Sequence, residues 1–163
     1  HAGMFPERWL PASIIVGETP FTEKNGMLMG ESVVILNPEL DVDLKYRRKQ
    51  MTQLCSKMRF VAAQFEAYLT TGLWRRNAEH SNRMARMLHS ELQALGSSAV
   101  KIMYPVQVNS VFVQLPAEVW HALQKEYFFY DWDEAANVVR WMCSFDTTEE
   151  DIHSFVAALK RLL

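Results

Sequence analysis

The chain has 163 residues, of which 49% are hydrophobic and 22% charged, and its formal net charge is −2 at pH 7. Length and composition are ordinary for one globular domain with a sizeable core, and the small net charge gives no electrostatic reason to expect a nucleic-acid or membrane partner. No apolar run approaches the roughly 20 residues of a membrane-spanning helix, and the candidate Ser32 to Leu36 has only the length of a strand.

The two cysteines, Cys55 and Cys143, are far apart and lack metal-ligand spacing. They predict reduced, buried thiols in a cytoplasmic protein.

The N-terminal 23 residues carry few structural signals. His1-Ala2-Gly3 looks like the remnant of a cleaved tag, so we expect the natural product to begin at Met4, and no signal peptide follows it. Three prolines and one glycine punctuate residues 4–23. They argue against a long regular element there, although Ala12 to Val16 is compatible with a short strand.

Residues 24–72 predict one buried strand and one long helix. A glycine-rich turn precedes the apolar run Val33 to Leu36, and Asn37-Pro38 ends that run, as is typical of a buried strand. From about Leu44 to Leu69, apolar residues recur every three or four positions, which predicts a helix with a basic first part. Its apolar stripe comprises Leu54, Met58, Val61, Phe65 and Tyr68.

The next segment predicts a second helix, from about Leu73 to Leu95, with Gly96 as its C-cap glycine. Two short strands follow, Val100 to Met103 and Ser110 to Leu115. Pro116 then begins a helix that runs to about Glu126.

The last segment predicts two strands and a helix. The strands, Tyr127 to Tyr130 and Val138 to Phe145, flank an Asp-Glu-Ala-Ala-Asn turn. A capping box, with Thr147 as the cap and Glu150 as its partner, begins the final helix. This order of elements predicts an α+β fold in which an antiparallel sheet carries helices on one face.

Residues with chemical potential are few. There is no zinc-ligand spacing, phosphate-binding glycine motif or nucleophile elbow. Outside the tag, the histidines all fall on predicted helices, where solvated or hydrogen-bonded helix residues are the favoured interpretation. They are His80, His89, His121 and His153.

Arg140 stands within the apolar strand Val138 to Phe145. Burying an arginine is costly unless a carboxylate or phosphate pairs with it. One interpretation is a fork that binds a substrate carboxylate through two parallel hydrogen bonds. The other, slightly favoured from the residues alone, is an edge-strand arginine that reaches water or pairs with an internal acid. The basic stretch through Lys57 and Arg59 also has two interpretations, a phosphate-binding site or a solvated helix face.

Three blocks of sequence within residues 24–163 together resemble one known family. The first comprises Lys24 to Met27, Gly30-Glu31 and Val33 to Leu40; the second comprises Lys45 to Gln50 and Ser56 to Phe60; the third comprises Tyr127 to Asp133, Val139 to Met142 and Ser144 to Asp151. They resemble, in order and at the right separations, the segment after the cofactor lysine, the next helix and the C-terminal domain of the low-specificity threonine aldolases.

The resemblance implies the C-terminal part of an aspartate-aminotransferase-like fold, called fold type I. Residues 24–72 would be a remnant of the large domain with a long linking helix, and residues 73–163 the small α+β domain. The family cleaves threonine or allo-threonine to glycine and acetaldehyde with pyridoxal 5′-phosphate (PLP). We therefore expect a cytoplasmic homo-oligomer that acts on a small β-hydroxy amino acid.

The same resemblance implies roles for three residues. Lys24 would form the Schiff base with PLP. Arg140 would hold the substrate α-carboxylate, and Arg59 would reach an active site, its own or a neighbouring subunit's, near phosphate or carboxylate.

The sequence departs from the family before Lys24. The family usually has Ser-Phe-Gly-Gly-Thr there, whereas this chain has Phe21-Thr22-Glu23, and nothing earlier resembles the family. The missing half would carry the aspartate that pairs with the pyridine nitrogen, the ring stacked on PLP and most phosphate donors. The first hypothesis is therefore a truncated lyase. The alternative is a catalytically inactive fragment or an interaction domain without cofactor, and uncovered apolar residues predict self-association.

Overall fold

The computed structural model describes residues 14–17, 25–28, 30, 32–35, 37 and 42–163. The predicted tag remnant, most of the segment 4–23 and Lys24 lie outside these residues. The chain divides into two compact units, His1–Leu73 and Trp74–Leu163. The domain boundaries inferred from the resemblance stay a prediction.

The first unit contains a two-stranded antiparallel sheet. Strand β1 is Ile14–Gly17 and strand β2 is Ser32–Ile35. Ile14 lies opposite Ile35, and Gly17 lies opposite Ser32. Both short strands predicted in this part of the sequence are therefore confirmed, each with a shift of one or two residues at its ends.

The single long helix predicted over residues 44–69 is wrong. Helix α1 is Leu44–Gln50 and helix α2 is Arg59–Thr70. Between them, Thr52 and Lys57 have φ angles of 57° and 63°, in the left-handed region that a right-handed helix cannot contain. The predicted apolar stripe crosses this break because it was read from the spacing of apolar residues. That spacing takes no account of the weak helix formers between them, such as threonine, serine and cysteine.

The long helix of the chain is instead α3, Leu73–Ala94, which begins the second unit. It confirms the second predicted helix. Its buried residues, which lie along one side of the helix, are Ser81, Met84, Ala85, Leu88 and Leu92. Gly96 has a φ of +59°, and its N–H donates to the carbonyl of Gln93 at 3.1 Å, as a glycine ending a helix does.

Four strands and two further helices complete the second unit. They are β3 Lys101–Ile102, β4 Ser110–Gln114, α4 Ala117–Leu123, β5 Tyr130–Asp133, β6 Val138–Met142 and α5 Glu149–Leu162. The strand order is β3-β4-β6-β5 and every neighbouring pair is antiparallel. Strands β4 and β6 are therefore the inner strands.

One face of this sheet carries the main core. Val111 and Val113 of β4 and Val139 of β6 are fully buried at 0% exposure, in a cluster with apolar residues of α3, α4 and α5. The alternation predicted for residues 110–115 is confirmed. Helices on one face of an antiparallel sheet are what the α+β prediction required.

Two local predictions near the sheet are wrong. Tyr127 continues the end of α4, with its N–H donating to the carbonyl of Leu123 at 2.9 Å, so the strand begins only at Tyr130. The cap of α5 is Thr148 with Asp151 as its partner. Thr147 is occupied elsewhere, because its Oγ1 accepts the N–H of Ser144 at 2.9 Å.

Candidate functional site

Arg140 lies at the centre of the open face of the sheet, which is the face opposite the main core. Its direct neighbours are Phe112 on β4 and Tyr130 on β5. Because β6 is an inner strand, the interpretation of Arg140 as an edge-strand residue is wrong. Its side chain is half-buried.

The guanidinium of Arg140 pairs with an aromatic ring. Its Cζ lies over the ring of Trp132, 5.4 Å from the centroid. Among the described residues no carboxylate lies within salt-bridge distance of it. The nearby acids are directed elsewhere: Asp131 lies opposite Val139, on the core face, and Asp133 accepts the N–H of Ala136 at 3.0 Å. Within the described part of the chain, no carboxylate neutralises Arg140, and its guanidinium can pair with an external anion.

Aromatic rings surround this arginine on the open face. Trp132 meets Phe112 edge to face at 5.0 Å, and Phe112 meets Tyr104 in the same manner at 5.4 Å. Trp132 is 55% exposed and Tyr130 is 56% exposed, so the described residues leave this surface accessible. Sequence reasoning missed the cluster, although the alternation that buries Val111 and Val113 already directs Phe112 to the other face.

Lys24 lies outside the described residues, but the loop that follows it is fixed on α2. Asn25 Nδ2 donates to the hydroxyl of Tyr68, and the N–H of Leu28 donates to Gln64 Oε1 at 3.1 Å. Tyr68 is 8% exposed, and burial raises the pKa of its hydroxyl.

Gly30 belongs to the same loop and approaches α2 closely. A Cβ atom at this position would lie 2.9 Å from Phe65 Cε2. The chain can pass this close to the ring because glycine has no side chain.

Arg59 is the first residue of α2 and is exposed. Its Cζ lies 4.8 Å from the ring centroid of Phe60. The preceding helix is also basic, with Arg47, Arg48 and Lys49 in its last turn. Arg59 lies in the first unit and Arg140 in the second, so their action at one site together with Lys24 stays a prediction.

The two cysteines differ in burial, and one histidine, His80, is hydrogen-bonded to the backbone. Cys143 is buried, which raises the pKa of its thiol to about 11, whereas Cys55 is exposed and the prediction that it is buried is wrong. His80 Nε2 donates to the carbonyl of Thr147 at 2.7 Å, and Nδ1 faces Arg83 Nη2 at 3.2 Å, so this histidine is hydrogen-bonded, as predicted.

Over the described residues, no three His, Cys, Asp or Glu side chains are grouped to hold a metal ion. In the same part of the chain, no helix has the length and apolar character needed to span a membrane.

The chain is similar to curated aldolases. It is 37% identical over 141 residues to the low-specificity L-threonine aldolase of Pseudomonas sp. (strain NCIMB 10558), and 39% identical over 141 residues to that of Pseudomonas aeruginosa. Each alignment covers 86% of this chain and 40% of the relative. The chain thus spans about 40% of the length of these relatives. Protein-family models give no match.

Solved structures give the same picture of the fold. The threonine aldolase of Leishmania major matches with a TM-score of 0.72 and 28% identity, over 85% of this chain and 40% of that one. The glycine decarboxylase (P-protein) of the glycine cleavage system matches with a TM-score of 0.55 and 21% identity, over 82% of this chain and 32% of that one, and shows the fold alone. The resemblance and the fold class expected from the sequence are confirmed.

Proposed function

We propose that this chain supplies part of the active site of a PLP-dependent carbon–carbon lyase that cleaves L-threonine or L-allo-threonine to glycine and acetaldehyde. The similarity to the low-specificity L-threonine aldolases supports the reaction class. The observation that carries the proposal is the guanidinium of Arg140, half-buried on the open face and without a carboxylate partner among the described residues.

Arg140 binds the α-carboxylate of the substrate in this proposal. A guanidinium presents five N–H donors in a planar fork that matches the two oxygens of a carboxylate. The contact with Trp132 engages the ring and not an N–H group, so the fork keeps its donors. Two parallel hydrogen bonds fix the orientation of the amino acid and thereby the direction of the bond to be broken.

The residues of this chain fit PLP in their chemistry. PLP, when bound, supplies an electron sink for the charge left on the α-carbon as acetaldehyde departs. The amine of Lys24 would hold it covalently, and the hydrogen bonds of Asn25 and Leu28 to α2 restrict the loop next to that lysine. Arg59 would pair with a phosphate or carboxylate.

A second candidate is a cofactor-free interaction domain that keeps the fold without catalysis. It is favoured by large apolar side chains exposed in the first unit, such as Phe60 at 60% and Leu69 at 57%. In both candidates we propose a cytoplasmic homo-oligomer.

The amine of Lys24 provides the test that separates these candidates. The chain is incubated with PLP and the absorbance band of lysine-bound PLP is recorded for the wild type, for Lys24→Ala and for Lys45→Ala, a control lysine on α1. The lyase proposal expects a band that only Lys24→Ala abolishes. No band in the wild type, or a band unchanged in Lys24→Ala, leaves the cofactor-free candidate.

The guanidinium of Arg140 provides the second test of the lyase proposal. Acetaldehyde release from threonine is measured with a coupled dehydrogenase. Arg140→Lys is expected to lower kcat/KM roughly 10- to 100-fold, because lysine keeps the charge but loses the two parallel hydrogen bonds of the fork, and a hydrogen bond to a charged group contributes about 1.5–3 kcal/mol. A wild-type kcat/KM in Arg140→Lys would contradict the proposal that Arg140 binds the substrate carboxylate.

A further inference from the structure

We propose that Trp132 is a positioning residue for Arg140: its ring holds the guanidinium on the open face so that the N–H fork is ready for a carboxylate. This inference rests on the proposed function, in which Arg140 receives the substrate carboxylate. It adds a residue that does not itself touch the substrate.

Trp132 lies at a β-bulge, on the same face of β5 as Tyr130. On β5, Asp131 lies opposite Val139 and Asp133 lies opposite Val138, so Trp132 between them is the extra residue without a partner on β6. Bulges change the direction of a side chain relative to a regular strand. Here the freed residue contacts the arginine next to it, and its ring centroid lies 5.4 Å from Arg140 Cζ.

The kind of contact matters for binding. A neighbouring carboxylate would hold the guanidinium too, but it would occupy the donors that the substrate needs. An aromatic face attracts the cation through its quadrupole and uses none of the N–H groups. Trp132 therefore restricts the side chain of Arg140 and leaves its hydrogen-bonding edge unoccupied.

The ring of Trp132 is itself supported, although more than half of it is exposed. Phe112 meets it edge to face at 5.0 Å, and Tyr104 supports Phe112 at 5.4 Å. Such pairs favour one relative orientation of the rings. The ring contacts run from the segment after β3, across β4, to β5, so the ring that contacts the arginine is the last of a row of three.

Nuclear magnetic resonance of the whole chain tests the positioning directly. The Nε–Hε signal of Arg140 is identified in nitrogen-15-labelled protein by its loss in Arg140→Lys. We expect the ring of Trp132 to shift this signal from the position of a solvated arginine, and Trp132→Leu to return it there. Trp132→Phe, which keeps a ring, retains a smaller shift in the same direction.

The matched control is Trp74→Leu, because Trp74 on α3 is 45% exposed compared with 55% for Trp132. This variant leaves the Arg140 signal unchanged. A wild-type signal at the solvated position, or one that Trp132→Leu does not move, overturns the proposal. Should Trp132→Leu lose the folded amide spectrum, the wild-type position and the Trp132→Phe shift still decide it.

Titration with acetate separates this inference from the function on which it rests. Acetate is a carboxylate without an amino group. Its effect on the Arg140 signal therefore reports carboxylate binding without the other contacts of an amino acid. Trp132→Leu is expected to weaken acetate binding about two- to fivefold, the factor that corresponds to an exposed cation–π contact. An Arg140 signal that does not respond to acetate in the wild type contradicts the carboxylate role itself. A responsive signal with equal affinity in Trp132→Leu overturns the positioning role alone.

Discussion

At the start of α5, the carboxylate of Asp151 is held by Thr148. The N–H and the hydroxyl of Thr148 both donate to Asp151 Oδ2, at 2.8 Å and 2.7 Å. The N–H of Asp151 donates back to Thr148 Oγ1 at 3.1 Å. These hydrogen bonds lower the pKa of Asp151, and the ionised carboxylate also lies at the positive end of the helix dipole.

Asp151→Asn is expected to reduce the free energy of unfolding at pH 7 by about 0.5 kcal/mol, as for other exposed charges at helix N-termini. Since the folded pKa lies below the ordinary value of 3.8, the stabilisation is present above that value and is lost as the pH falls through the folded pKa. Denaturant unfolding at pH 7 and at about pH 2.5 measures the difference in the free energy of unfolding between the wild type and Asp151→Asn. Glu150→Gln, in the same turn, is the control. An equal effect of Asp151→Asn at both pH values would contradict the prediction.

The residues of the candidate site differ in how well the sequence alone identifies them. Arg140 could be selected because a charge in an apolar strand needs an explanation. Its contact with Trp132 could not, since the alternation of a regular strand does not reveal a bulge. The predicted cap of α5 is wrong by one residue because two Thr-x-x-acid pairs overlap in the sequence, and only the hydrogen bonds of the folded chain show which threonine is the cap.

Among the elements, the segment between α1 and α2 is the least regular. Thr52 is β-branched and has a φ of 57°, which is unfavourable for any residue with a Cβ and especially for a branched one. A sequence pattern averages over several residues and cannot identify one residue in the left-handed region. For this reason two helices were mistaken for one.

Thr52→Gly is expected to stabilise the chain by about 0.5 kcal/mol, because relief of the left-handed conformation exceeds the entropic cost of glycine. Thr70→Gly, within α2, is the matched control and should destabilise by about 0.5 kcal/mol, since glycine is a weaker helix former than threonine. Denaturant unfolding gives both free energies. Destabilisation by both variants to the same extent would indicate that Thr52 does not occupy a left-handed conformation.

The elements of the second unit were predicted better because their signals are local. Helix α3 was expected to end at Leu95 and ends at Ala94, with Gly96 in the left-handed conformation that its position suggested. Strand β4 alternates strictly, and one of its faces is buried. Where a contact depends on the register between two strands, as for Trp132 and Arg140, neither propensity nor periodicity could supply it.

Over the whole molecule, the described residues are unequally buried. The second unit has one contiguous core, whereas in the first unit the buried hydrophobic residues that the structure describes are Met27 and Tyr68. Large apolar side chains of α1 and α2 are exposed instead, among them Tyr46 at 58%, Phe60 at 60% and Leu69 at 57%. Apolar surface of this kind usually marks an interface.

We therefore expect self-association through the exposed apolar side chains of the first unit. Light scattering across a wide concentration range should give a mass above that of one chain, and Phe60→Ser combined with Leu69→Ser should lower it. Phe128→Ser, in the second unit, removes a more exposed aromatic ring (84% exposed) and should leave the mass unchanged. A mass of one chain at every concentration would contradict the predicted self-association.

The irregular strand β5 has a further consequence for how copies of the chain meet. The outer strands of the four-stranded sheet are β3, with two residues, and β5, with four. Short, bulged and acidic strands offer a poor template for the backbone of another chain. The irregularity at Trp132 is therefore also expected to hinder growth of the sheet edge to edge into a fibre.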